Sequence, residues 1–148
     1  MSFYFPLSSV LRVREAAEQR EERLLTEINS EIDVVNQSIE EITSKISQTE
    51  SARPSASDVL QTAFHVQAWY GEIETLSESR KELLRRIEQL KALRSKQMLV
   101  YRNARKNRQV LDSIRDASFA EFETQADRRE QRTMDDQHSA QRFRKYTS

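Results

Sequence analysis

Residues 28–46 read INSEIDVVNQSIEEITSKI, and within them Ile28, Ile32, Val35, Ile39, Ile42 and Ile46 alternate in steps of four and three. Steps of four and three hold one narrow apolar stripe on the same side of a helix, which is the seam of a coiled coil. The surrounding 148 residues contain one glycine, two prolines and no cysteine. A globular chain of this length needs many turns, and turns need residues that are scarce here. The reading is therefore all-α: two long helices forming an antiparallel coiled-coil hairpin. It is expected as a single elongated domain, with helix one over about 6–51, a loop over about 52–57 and helix two over about 58–142.

The first boundary is set by Pro6, which is tolerated in a first helical turn because its missing N–H has no partner there. Leu7, Val10, Leu11, Val13, Ala17, Leu24 and Leu25 lead into the isoleucine seam, and the step from Leu24 to Ile28 reads as a stutter. Pro54 ends the helix, since the residue before a proline is driven out of helical geometry. Ser55 and Asp58 have the spacing of a capping box for the second helix. Beyond Asp58 no stop signal follows. The second seam is poorer, with Arg80, Arg94 and Arg108 falling near it. Gly71 marks either a kink, a close approach or a tolerated break in propensity worth roughly 1 kcal/mol.

A short connection makes the two helices antiparallel neighbours. Counting outward from Pro54 places Leu7 near position 101 and position 20 near position 88. The first helix is then roughly 65–70 Å long and the second roughly 120 Å, at the usual helical rise. The second helix overhangs, leaving residues from about 102 to 148 without a helix of the same chain beside them. Phe119, Phe122, Met134, Phe143 and Tyr146 lie on that overhang. A helix offered in this way dimerises, binds a partner or frays over its last residues.

Charge supports the pairing. Lys+Arg minus Asp+Glu is 6 − 10 = −4 for residues 1–54 and 18 − 14 = +4 for residues 55–148. Arg80–Arg108 holds 11 basic and 2 acidic residues, opposite the acid-rich start of helix one at Glu15, Glu18, Glu21, Glu22 and Glu27. Such flanking pairs select orientation more than they add stability.

The formal net charge is zero, which argues against nucleic acid as the partner, since phosphate contacts need a basic surplus. No run of 18 apolar residues is present, so no membrane span is expected. The N-terminus lacks the charged and apolar regions of a secretory signal, and a cytoplasmic location follows by default. His65 and His138 are far apart, and Asp135-Asp136 beside His138 reads as a solvated helix face rather than a metal site. No HExxH, CxxC, GxxxxGK[ST] or GxSxG pattern occurs. The expectation is a protein without catalytic residues, cofactor or metal. Phe64, Trp69, Tyr70, Ile73 and Leu76 form an apolar cluster on more than one stripe, either a docking surface or a tip that folds over itself.

The opening Phe5-Pro6-Leu7-Ser8-Ser9-Val10-Leu11-Arg12-Val13-Arg14-Glu15 resembles the F-x-L-x-x-V-L-x-x-R-E start of the flagellar export protein FliJ family. The segment from Phe122-Glu123 through Arg129-Glu130-Gln131-Arg132-Thr133-Met134-Asp135-Asp136 to Arg142-Phe143 is similar to that family's closing pattern. Arg132 stands there for a lysine, Met134 for a leucine and Asp136 for a glutamate. Trp69-Tyr70-Gly71-Glu72-Ile73-Glu74-Thr75-Leu76 resembles its aromatic stretch before a T-L. The resemblance implies a non-enzymatic stalk of the flagellar type III export apparatus. It implies binding to the export ATPase hexamer, contact with the cytoplasmic domain of the membrane-embedded export gate, and escort of export chaperones. Its location would be cytoplasmic and peripheral at the inner membrane. Carried over residue by residue, Leu11, Arg14, Arg129, Gln131 and Asp135 fall at the ATPase end, and Trp69, Tyr70, Ile73 and Leu76 at the gate end. The stalk of a virulence type III secretion system and a generic structural or adaptor coiled coil stand as alternatives.

Overall fold

The computed structural model describes residues 1–54 and 59–147. Two helices make up the fold: α1, Ser8–Ser51, and α2, Val59–Thr147. They run antiparallel as a helical hairpin, with α2 the longer, and no strand is present among the described residues. Helix α1 starts slightly later than Pro6. The Ser8 amide donates to the Phe5 carbonyl (3.1 Å), closing a turn over Pro6 and Leu7, and the Leu11 amide then makes the first helical bond to Leu7 (2.9 Å). Helix α2 runs to Thr147, past the expected end near 142, because no glycine or proline stops it. The capping-box residues Ser55 and Asp58 lie outside the described residues.

Contacts divide the chain into two compact units, Gln19–Arg102, and Met1–Glu18 with Asn103–Ser148. In the first, the isoleucine seam is the core. Ile32, Ile87 and Leu90 are buried together, with Ile28, Val35 and Ile39 packed against them. Leu90 is 1% exposed. Each such side chain contributes roughly 1.5–3 kcal/mol by leaving water. In a hairpin with a single seam, few residues carry the pairing.

The α2 seam is more regular than its composition suggests. From Thr62 to Phe122 its half-buried and buried positions keep the steps of four and three: Val66, Trp69, Ile73, Leu76, Arg80, Leu83, Ile87, Leu90 and onward. Arg80, Arg94 and Arg108 sit in this seam, fourteen residues apart, each half-buried. Arginine fits such a position by burying its aliphatic stem while its head reaches the rim.

Two expectations need correction. The pairing is not centred on Pro54. Trp69 reaches Thr49, Arg86 reaches Glu31 and Gln97 reaches Glu21, so partners are equidistant from a point near residue 59. Position 21 therefore lies beside 97, and position 20 is not beside 88. The reason is a stagger: Trp69 is ten residues into α2, whereas Thr49 is two residues from the end of α1. The stutter is also misplaced. Leu24 is exposed and Leu25 carries the seam to Ile28; the alternation breaks instead between Glu18 and Glu21, both half-buried. Gly71 lies within continuous helix, and a Cβ there would meet nothing within 4 Å. It is a tolerated glycine, not a point of close approach within the chain.

Candidate functional site

The unit formed by Met1–Glu18 and Asn103–Ser148 holds one of the two residue groups carried over from the family. Leu11 is buried in the α1 seam, so it supports the pairing rather than offering a surface. Arg14, one turn on, is exposed. On α2, Arg129, Gln131 and Asp135 are all exposed. Gln131 and Asp135 are four residues apart and share a face, while Arg129 is turned to the far side of the helix. There its guanidinium donates to the Met1 sulfur, 3.2 Å away. These residues do not form one patch.

A polar cluster that sequence reasoning missed braces the same unit. Arg108 Nε and Nη2 donate to the two carboxylate oxygens of Glu18, the second at 3.3 Å, and Nη1 donates to Asp112. Arg115 also reaches Asp112, at 3.4 Å. The fork of Arg108 matches a carboxylate held edge-on, the geometry in which arginine binds best. Hydrogen bonding to Glu18 first, and to Asp112 next, raises the guanidinium pKa further above its ordinary high value. The sequence carried half of the signal, since the acidic start of helix one and the basic run were expected to meet.

From Glu123 to Thr147 every α2 residue is exposed. Met134, Phe143 and Tyr146 stand in solvent there. Met134 and Phe143 are nine residues apart and face opposite sides, so no continuous apolar stripe runs along this stretch.

The other group lies in the unit Gln19–Arg102. Trp69, Ile73 and Leu76 are half-buried seam residues, and Tyr70 is exposed. The Trp69 indole N–H donates to the Thr49 carbonyl at 2.5 Å. That oxygen lies in the last turn of α1 and also accepts from the Ala52 amide at 3.2 Å, so the indole adds a second hydrogen bond that caps the helix end. Arg53 lies over the same ring, 5.8 Å from its centroid, and Tyr70 stands edge-on at 4.9 Å. Phe64, 72% exposed, and Tyr70 are the aromatic surface left at this end.

Part of the basic run is taken up within the chain. Arg86 pairs with Glu31, Lys91 with Glu88 and Arg108 with Glu18. Among the described residues no group of three or more His, Cys, Asp or Glu is placed to hold a metal ion, and no helix is long and apolar enough to cross a membrane. The surfaces that remain are an exposed helix end with charged faces and an aromatic tip.

Comparison with known proteins agrees with the motifs. The family described as Flagellar FliJ protein matches residues 3–148, nearly the whole chain. No curated protein and no solved structure gives a significant match.

Proposed function

Since the chain belongs to the flagellar FliJ family and is a component related to flagellar export, we propose that it acts as the stalk of the export ATPase. In this reading it binds the ATPase hexamer at one end and the cytoplasmic domain of the export gate at the other, and it escorts export chaperones. It works without catalytic residues or cofactor, in the cytoplasm at the inner-membrane export apparatus.

The observation that carries the reading is the exposed helix from Glu123 to Thr147, which follows the braced unit around Arg108 and Glu18. Most helical stability in proteins comes from tertiary packing, so a helix stretch with none gains stability by docking. Arg14, Arg129, Gln131 and Asp135 supply polar contacts to the ATPase, and Leu11 holds the helix that presents Arg14. At the gate end Tyr70 is the exposed anchor, while Trp69, Ile73 and Leu76 keep it in place. An asymmetric helical hairpin inside a symmetric ring touches each subunit differently and so biases their states unequally.

Sedimentation of the protein with its cognate export ATPase, together with ATPase assays, tests this. About one copy per hexamer and a stimulated ATPase rate are expected. A tight dimer that leaves the ATPase unaffected would return the chain to a structural coiled coil.

A further inference from the structure

Residues 1–5 precede the first helical turn and pack on α2 within the unit Met1–Glu18 with Asn103–Ser148. From Ser2 to Phe5 burial alternates: Phe3 is half-buried and Phe5 buried, while Ser2 and Tyr4 are exposed; Met1 is fully exposed. That is the period of an extended chain laid on a surface. The Phe3 ring stands edge-on to Phe119 with centroids 5.2 Å apart, and tilts against Phe122 at 5.6 Å. Beside it runs a groove of about 540 Å³ lined by Met1, Phe122, Gln125, Ala126 and Arg129. Phe119, Phe122 and Ala126 are spaced three and four apart, the spacing of a helix face that docks a partner.

We propose that Met1–Phe5 is a latch over a partner-binding groove. It opens while the hairpin beneath stays paired. The groove then takes a partner segment that carries a large apolar side chain beside a carboxylate. The proposal rests on the reading that this end of the protein meets the export ATPase, and adds to it a means of regulation.

Two features of the latch support opening. Its root is tied by the Ser8–Phe5 hydrogen bond, but Phe3 is held by ring contacts. Segments fastened by few buried groups open locally, at free energies well below that of global unfolding. The groove also shows what it would prefer to bind. Arg129, one of its cations beside the Met1 α-ammonium, meets the Met1 thioether, a weak acceptor. A carboxylate would form a charge-assisted bond about twice as strong as a neutral one. The apolar wall of Phe122 and Ala126 takes the neighbouring side chain. A closed latch occupies part of this surface, so latch and partner compete.

The test compares the full-length protein with Phe3→Ala and Arg129→Gln. Hydrogen exchange is followed in peptides covering 119–126 and 87–90, and affinity is measured for the purified cognate export ATPase hexamer. With Phe3→Ala, exchange at 119–126 should speed up on the order of tenfold while 87–90 stays protected, and ATPase binding should tighten. Arg129→Gln should weaken that binding in either background. Unchanged protection at 119–126, or equal loss at 87–90, overturns the latch. Selective opening without tighter binding overturns the competition. Selective opening with no ATPase binding by either protein bears out the latch and counts against the stalk reading instead.

Discussion

Leu90 and Arg108 occupy the same seam and hold it by different physics. Leu90 touches Ile32 and Ile87 and is closed from water. Leu90→Ala leaves a hole that a two-helix packing can only partly close, so a loss of roughly 3 kcal/mol is expected in urea unfolding. Arg108 contributes through charge, to Glu18 and Asp112. Its pKa is raised by these partners, so its contribution is present below the unfolded-state value and is lost only as pH climbs through the folded one. Both values lie above the working range, and this interaction should hold constant on the alkaline side. Arg108→Lys moves the titration down toward the ordinary lysine value, so from about pH 10 upward that variant should lose more stability than the parent, whose other lysines titrate in both proteins. Melting temperatures at pH 8 and pH 11 for both proteins check it.

At the scale of elements, α2 bears one residue that works against it. Gly71 has helical geometry, open space where a Cβ would stand and no positive φ. Gly71→Ala should therefore stabilise the hairpin by about 1 kcal/mol, because alanine loses less backbone freedom on folding. A calorimetric melting temperature that falls would show that the bare backbone is needed. The α1 end is secured differently. Trp69 reaches across from α2 to cap it, and Arg53 covers the indole. The aromatic stretch from Trp69 thus ties the end of α1 to α2, leaving Tyr70 and Phe64 exposed.

At the scale of the molecule, the exposed helix end separates folding from binding. Residues 123–147 have no buried side chain. Removing residues 131–148 should leave the melting temperature within about 2 °C of the full chain, since little apolar surface is lost. Binding to the export ATPase should fall sharply in the same variant. Equal loss of stability and binding would instead make the end part of the core.

The fold class was legible in the sequence because it rests on local order. The spacing of Ile28 to Ile46 and the scarcity of breaking residues are properties of neighbours along one chain. The meeting of acidic α1 with basic α2 was legible for the same reason, as a charge count. The register was not. It is decided by contacts such as Trp69–Thr49, Arg86–Glu31 and Gln97–Glu21, which join residues far apart in sequence. Sliding one helix by a heptad keeps the apolar stripe facing its partner, so periodicity alone does not choose among such pairings. The candidate site was divided in the same way. The family pattern marked Arg129, Gln131 and Asp135 along the chain. Helical spacing already turns Arg129 away from the other two; only tertiary packing shows that it meets Met1 and that Phe3 reaches across to Phe119 and Phe122.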